Sequence, residues 1–302
     1  MTGASVDAQP RSRREARVAA YLSLGVLAAS FSPILLRLAD DAEPLALSFW
    51  RCAAGAAILF PFARSRLRSI GRVEFKTCAV SGLFLALHFA TWITSLELTT
   101  VASSVLLVST TPIFVALVAP FVVKENLKPT GWAGVGAAFA GTALITGVDF
   151  GGASLDGNLL ALTGGATAAG YVLAGRLARR SLDILSYAVV TYGVAAVILG
   201  IVCVIGRVPV GGYGAGTWWA IVGVIVGPQL LGHTIINLVL SDIDVTTVSV
   251  SLMAEPVVAT ILAAFIFDEI PSLVLYPGAA AIFVGIYLVA ASQRAARVPP
   301  PT

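Results

Sequence analysis

The sequence predicts an all-α polytopic membrane protein, with ten transmembrane helices arranged as two inverted five-helix repeats. Three observations lead there. Of 302 residues, 58% are hydrophobic and only 12% charged, where a soluble domain carries ~25% charged residues. That is too little charge to cover a globule, and the mean hydropathy is +0.92. The apolar residues gather into long runs, not the short alternating segments of a barrel. A stretch around Pro112 also returns 144 residues later around Pro256.

The runs are 18–38, 44–62, 75–97, 100–123, 130–148, 157–178, 183–205, 217–240, 245–267 and 273–292. Most lie close to the ~20 residues that cross a bilayer core. The first follows a polar, basic segment, 1–17, and has no cleavage pattern, so it reads as a retained helix and not a signal peptide. Turn residues separate the runs: Asp40-Asp41-Ala42-Glu43-Pro44, Gly151-Gly152, Gly211-Gly212-Tyr213-Gly214 and Pro271. The links are short, so consecutive helices are antiparallel. The chain thus divides into a cytoplasmic basic tail (1–17), a first repeat (18–148), a second repeat (157–292) and a proline-rich tail (293–302) expected to be disordered. Cys52, Cys78 and Cys203 are odd in number and lie in or near apolar runs, which argues against a disulfide framework. A net charge of +3 does not imply nucleic acid.

Lys and Arg in short loops set the orientation. With the N-terminus inside, 16 of the 19 basic residues fall on the inner side. Arg207 lies outside, Arg37 near the outer end of the first run, and Arg51 within the second. The expectation is a multi-pass protein of the cell (inner or plasma) membrane with both termini cytoplasmic.

The internal repeat aligns 101–146 with 245–290 without a gap. The informative matches are Pro112 with Pro256, Glu125 with Glu269, Gly134 with Gly278 and Gly141 with Gly285. The first and sixth runs share an Arg-Leu-Ala end, Arg37–Ala39 and Arg176–Ala178. Five helices per repeat is an odd number, so the second copy is inverted. Inverted repeats recur in secondary transporters, with the substrate site near the midplane between them.

On these residues the chain resembles a ten-helix member of the drug/metabolite transporter superfamily, in the EamA-like group, from about Tyr21 to Ala291. Each half carries a proline, a glutamate near the helix exit and a glycine-bearing last helix: Thr110-Thr111-Pro112 to Val123-Lys124-Glu125, then Gly134 and Gly141, and Ala254-Glu255-Pro256 to Phe267-Asp268-Glu269, then Gly278 and Gly285. Phe49-Trp50-Arg51 matches an arginine often found in the family's second helix. His233 and Asn237 ahead of Thr246-Thr247, and His88 and Trp92 ahead of Thr99-Thr100, are similar to one branch of the group. The first half departs by having Thr111 where the second has the acid. The resemblance implies transport of a small metabolite through a central cavity, with no metabolite specified.

Glu255 is the leading candidate. It is the only charge in the 23 residues 245–267, and an ionisable group at that depth costs at least ~2.5 kcal/mol. Such a residue faces a cavity, an ion path or a partner. It reads as a proton-titrating or substrate-binding acid, against the competing reading of a structural, hydrogen-bonded one. Gln229, His233, Asn237 and Ser241 recur every four residues, which places them on one helix face. That stripe lines a cavity or bonds to a neighbouring helix. Ser81, His88, Thr91, Trp92 and Ser95 form a weaker equivalent, with His88 and His233 almost one repeat apart. The histidines are expected as polar or protonatable lining, and Trp92 as a stacking or packing ring. Thr111 joins the cavity set, since Ser103, Ser104, Ser109, Thr110 and Thr111 make the fourth helix polar. Pro112 and Pro256 are expected to kink or loosen their helices as hinges. Arg51, Glu125 and Glu269 read as structural, Arg51 by snorkelling outward or pairing with an acid such as Glu97, with direct contact to substrate as the alternative for Arg51. Ala137/Gly141 and Ala281/Gly285 have the spacing of close helix packing.

The chain has no zinc, nucleophile-elbow or Cys-x-x-Cys motif, and no P-loop, so no cofactor or metal is expected and ATP is not the direct energy source. The expected function is secondary active transport of a small metabolite, an amino acid or related compound, by export or exchange through alternating access. Its expected partners are that substrate, protons and the bilayer, acting as monomer or homodimer. An intramembrane enzyme using Glu255 and the histidines, or a non-transporting scaffold or sensor, are the alternatives. Neither needs twofold symmetry.

Overall fold

The computed structural model describes residues 11–147, 154–267 and 273–296. Gly151-Gly152, Glu269, Pro271 and the end of the C-terminal tail lie outside the described residues. Among the described residues every regular element is helical. In chain order these are α1 (Arg11–Ala29), α2 (Ser32–Leu38), α3 (Pro44–Leu67), α4 (Arg72–Leu98), α5 (Val101–Val108), α6 (Thr111–Val122), α7 (Pro129–Thr146), α8 (Leu155–Ala178) and α9 (Ile184–Gly206). There follow α10 (Ala215–Val224), a π-helical segment (Ile225–His233), α11 (Thr234–Val239), α12 (Val245–Ser251), a 3-10 turn (Leu252–Ala254), α13 (Glu255–Phe267) and α14 (Leu275–Ala296). They make ten crossings, four of which are interrupted.

Proline explains each interruption. Its ring clashes with the carbonyl four residues back and it lacks an N–H. Four residues before Pro33, Pro112 and Pro228 lie Ala29, Val108 and Val224, the last residues of α1, α5 and α10. Four before Pro256 lies Leu252, where α12 gives way to the 3-10 turn. Pro33 and Pro112 then sit in the first turn of the next helix, where the missing N–H is harmless. The first crossing is therefore broken, not continuous over 18–38. Pro112 and Pro256 start new helices in place of bending old ones. Pro61 and Pro120 leave α3 and α6 unbroken.

Helix starts elsewhere use ordinary caps. Thr100 accepts from Ser103 N at 3.1 Å and Ser154 from Gly157 N at 3.0 Å. Asp183 accepts from the amides of Leu185 and Ser186. The basic segment beginning at Arg11 is helical and forms the first turns of α1, and α3 carries Arg64 and Arg66 in its last turn.

The packing obeys the inverted repeat. α1 lies against the π segment as α4 lies against α8, while α3 pairs with α9, α7 with α14, and α6 with α12. Eight crossings are long and apolar enough to span a membrane on their own. The other two are the glycine-bearing α7 and α8. α8 is central and buries twelve of its residues, from Gly157 to Ala178. α7 closes on α14 at glycines: a Cβ on Gly134 or Gly141 would stand 2.7 Å from the Gly285 carbonyl or 2.5 Å from that of Gly278. The close approach thus uses four glycines, with Ala137 and Ala281 only half-buried beside it.

Candidate functional site

The four interruptions meet around one cavity. Its wall takes Ala29 and Ser32 from the first break, Val108, Ser109, Thr111 and Pro112 from the second, Pro228 and His233 from the π segment, and Leu252, Met253 and Glu255 from the last. Backbone that leaves helical form at membrane depth is tolerated where it lines a cavity or is buried in protein. α8 adds Ala168, Tyr171 and Val172, α4 adds His88 and Trp92, and α3 adds Arg51. The cavity volume is about 130 Å³.

Above it lies a vestibule of about 810 Å³, sharing Trp92, Val108, Ser109, Leu252 and Glu255 with the cavity wall. It extends to Asp40 and Pro44, to Glu97 near the end of α4, to Thr146 at the end of α7 and to Phe267 at the end of α13. All of these lie on the face opposite the chain termini. Glu255 stands at the junction, half-buried, as the first residue of α13. Thr111, one repeat earlier, is the first residue of α6. Its hydroxyl donates to the carbonyls of Val108 (2.7 Å) and Gly165 (3.1 Å), tying the break to α8.

Arg51 is 1% exposed and does not snorkel. Its Nε donates to Gln229 Oε1 at 2.9 Å, and its guanidinium carbon lies 3.9 Å from the centre of the Phe89 ring. Phe89 in turn meets His233 edge-on at 5.4 Å. Arg51 Nη1 is buried with no hydrogen-bond partner in the protein, as are Trp92 Nε1 and Ser32 Oγ. All three side chains line the cavity. His88 Nδ1 donates to the Gly164 carbonyl at 2.9 Å, which leaves Nε2 as the ring's other polar atom. Its ring stacks on Trp92 at 5.7 Å, nearly parallel. Among the described residues no three His, Cys, Asp or Glu side chains gather as a metal site.

The face carrying the termini is sealed. Arg176 Nε donates to Glu125 Oε1 at 2.7 Å, and the other Glu125 oxygen accepts from Val245 N at 2.8 Å. Arg176 also reaches the Leu240 carbonyl. Arg180 donates to the Val123 carbonyl at 2.6 Å and Arg179 to that of Asn237 at 3.2 Å.

A model of the EamA-like transporter family matches residues 17–147 and again 155–291, one copy on each repeat. The chain belongs to this family. It is thus a multi-pass membrane protein with the family's transporter fold. It is also similar to a solved structure described only as a crystal structure of a protein, with a TM-score of 0.78 and 21% identity over 94% of this chain and 99% of that one. That likeness bears on the fold alone. Curated proteins give no match.

Of the residues singled out from sequence, Glu255, Thr111, Pro112, His88, Trp92 and His233 share the cavity. Gln229 and Asn237 do not line it. Gln229 is buried beneath Arg51, and Asn237 donates to the Tyr171 hydroxyl. Ser241 is exposed near the termini face, beside Arg179. Pro256 borders the vestibule. Arg51, read as structural, lies in the cavity wall without contacting Glu97. Glu125 joins helix ends, and Glu269 is outside the described residues. Sequence reasoning missed Tyr171, Ser32 and Ser249. Only a tyrosine in the glycine-rich α8 gave a signal for the first.

Proposed function

We propose that this EamA-like protein is a secondary active transporter of a small amino acid or a related zwitterion, which it exports or exchanges by alternating access. The supporting observation is that Arg51 and Glu255 line the same cavity inside a membrane protein. A cation and an acid at membrane depth are costly unless they serve each other or a ligand. Arg51 Nη1 has a donor to spare. A substrate carboxylate fits that donor, with Trp92 Nε1 and Ser32 Oγ as further donors, and Glu255 where the cavity meets the vestibule suits the ammonium. A carboxylate on an arginine is the stronger, charge-assisted kind of hydrogen bond.

In this reading Glu255 also carries the coupling proton, since substrate ammonium and proton compete for one carboxylate. His88 and His233 give polar lining. Basic loops on the termini side support a cell-membrane protein with cytoplasmic termini, and the vestibule then faces outward.

The test is counter-flow in proteoliposomes loaded with mixed amino acids and small metabolites, with and without a pH gradient, beside Glu255→Gln. Expected are release of an amino-acid class, acceleration by the gradient, and loss of that acceleration in the variant. Release independent of the gradient and unchanged in Glu255→Gln would refute proton coupling through this residue. Release confined to compounds without a carboxylate would refute the assignment to Arg51.

A further inference from the structure

The two repeats are related by sequence but not in how their broken helices pack. α6 and α13 correspond at an offset of 144 residues. α6 buries Thr111, Pro112, Val115, Ala116 and Ala119. Of the residues in α13 only Val257 is buried, and Phe265 is 82% exposed. α6 forms the closed, termini-side half of its crossing, and α13 borders the open vestibule. On that open side Arg37 lies over the Phe267 ring at 4.4 Å.

What distinguishes the closed side is Glu125, at the end of the α6 crossing. About 17 Å of α6 separates the cavity from it, at 1.5 Å per residue. One oxygen pairs with Arg176 at the end of α8, and the other accepts the first amide of α12. Both partners belong to the second repeat, while Glu125 belongs to the first. The pair is shielded, with side-chain exposures of 10% and 14%. Arg180 adds a second bond across the repeats, to Val123. A single carboxylate therefore fastens α6 to two elements that must part from it before the cavity can open toward the termini.

We propose that Glu125, held by Arg176 and the α12 amide, is the latch that keeps the termini face shut. Releasing it lets α6 and α13 exchange their packing. The latch rests on the alternating-access reading above. It is a conformational element and touches no substrate.

The experiment uses the full chain in nanodiscs and cysteine accessibility to a polar maleimide. Ser249→Cys reports on the termini side of the cavity and Ala263→Cys on the vestibule. Native Cys52, Cys78 and Cys203 are buried, and the parent chain gives the background rate. In Glu125→Gln the Ser249→Cys site is expected to label at least ~5-fold faster and the Ala263→Cys site more slowly, the range typical of conformational coupling. Arg176→Gln, which keeps the cap on α12, is expected to shift both rates in the same directions, and it decides the matter should Glu125→Gln not fold. Unchanged labelling at both sites in a folded variant would overturn the latch. A shift in labelling together with no transport of any zwitterion by the parent chain would support the latch and overturn only the substrate reading.

Discussion

Replacing Arg51 with lysine keeps a positive charge but removes the planar fork. Two consequences follow separately from the geometry. The first is structural. Gln229 Oε1 loses the 2.9 Å bond from Arg51 Nε, and the Gln229 amide nitrogen is already without a partner. A buried polar group left unpaired costs ~1–3 kcal/mol, so the melting temperature should fall. The second concerns the ligand. Losing one charged hydrogen bond to a carboxylate costs ~1.5–3 kcal/mol, which corresponds to a ~10- to 150-fold rise in Kd. The assay is binding to purified protein of a transported amino acid and of the amine that lacks only its carboxyl group. Arg51→Lys should weaken the amino acid by that factor and leave the amine within about twofold. Gln229→Leu serves as the control, because it removes the support and keeps the guanidinium. Equal weakening of both ligands by Arg51→Lys would refute carboxylate recognition and reduce Arg51 to a packing role over Phe89.

Three further predictions concern the frame around the site. Gly141→Ala places a methyl 2.5 Å from the Gly278 carbonyl oxygen and should destabilise the α7–α14 pair by ~1–3 kcal/mol, whereas Gly136→Ala, with nothing within 4 Å, should leave thermal unfolding unchanged. Asp183 caps α9 outside the membrane. Partial burial pushes its carboxyl up, but bonds from Ser186 and Leu185 and the charge of Arg66 outweigh this and hold it below the ordinary value. Asp183→Ala should then cost ~1 kcal/mol near neutral pH. The carboxyl is depressed in the folded state, so its contribution is complete above the unfolded value of ~3.9 and vanishes as pH falls through the lower folded one; melts of parent and variant should converge below it. Tyr171→Phe removes the hydroxyl to which Asn237 Nδ2 donates, in a site where Asn237 is 1% exposed. It should lower stability by ~1–3 kcal/mol, read in the same melts.

The architecture was legible because its signals are local and repeated. Pro112 and Pro256 with their following acids and glycines mark the two copies, and the basic loops mark alternate links. The breaks at Pro33 and Pro228 carried the same signal without a repeat to highlight it. Gln229, His233 and Asn237 show where periodicity misleads. Four-residue spacing assigns them one face only if the helix is regular, and through the π segment the bonding runs i to i+5. A polar side chain in a bilayer also needs a partner more than it needs water, and Gln229 and Asn237 found theirs in Arg51 and Tyr171. For Arg51 the snorkelling option fails because depth along a helix does not say which way a long side chain turns. Here the Phe89 ring receives it.

The pairing of α7 with α14 also bears on how the protein is made. α7 is not among the eight described helices that are long and apolar enough to cross a membrane by length and composition. The glycine surface it needs belongs to the last helix of the chain. From Thr146 to Leu275 there are 129 residues, and at ~5–20 residues per second of synthesis the wait is ~6–26 seconds. During that interval the first repeat stands in the bilayer with an uncovered glycine face on α7. The first five crossings thus form one of the two sequence repeats, yet one of their packing surfaces is supplied by the last helix of the chain. A ribosome stalled before Leu275 should leave α7 the most protease-accessible crossing of the nascent chain, and that protection should appear abruptly once α14 has emerged.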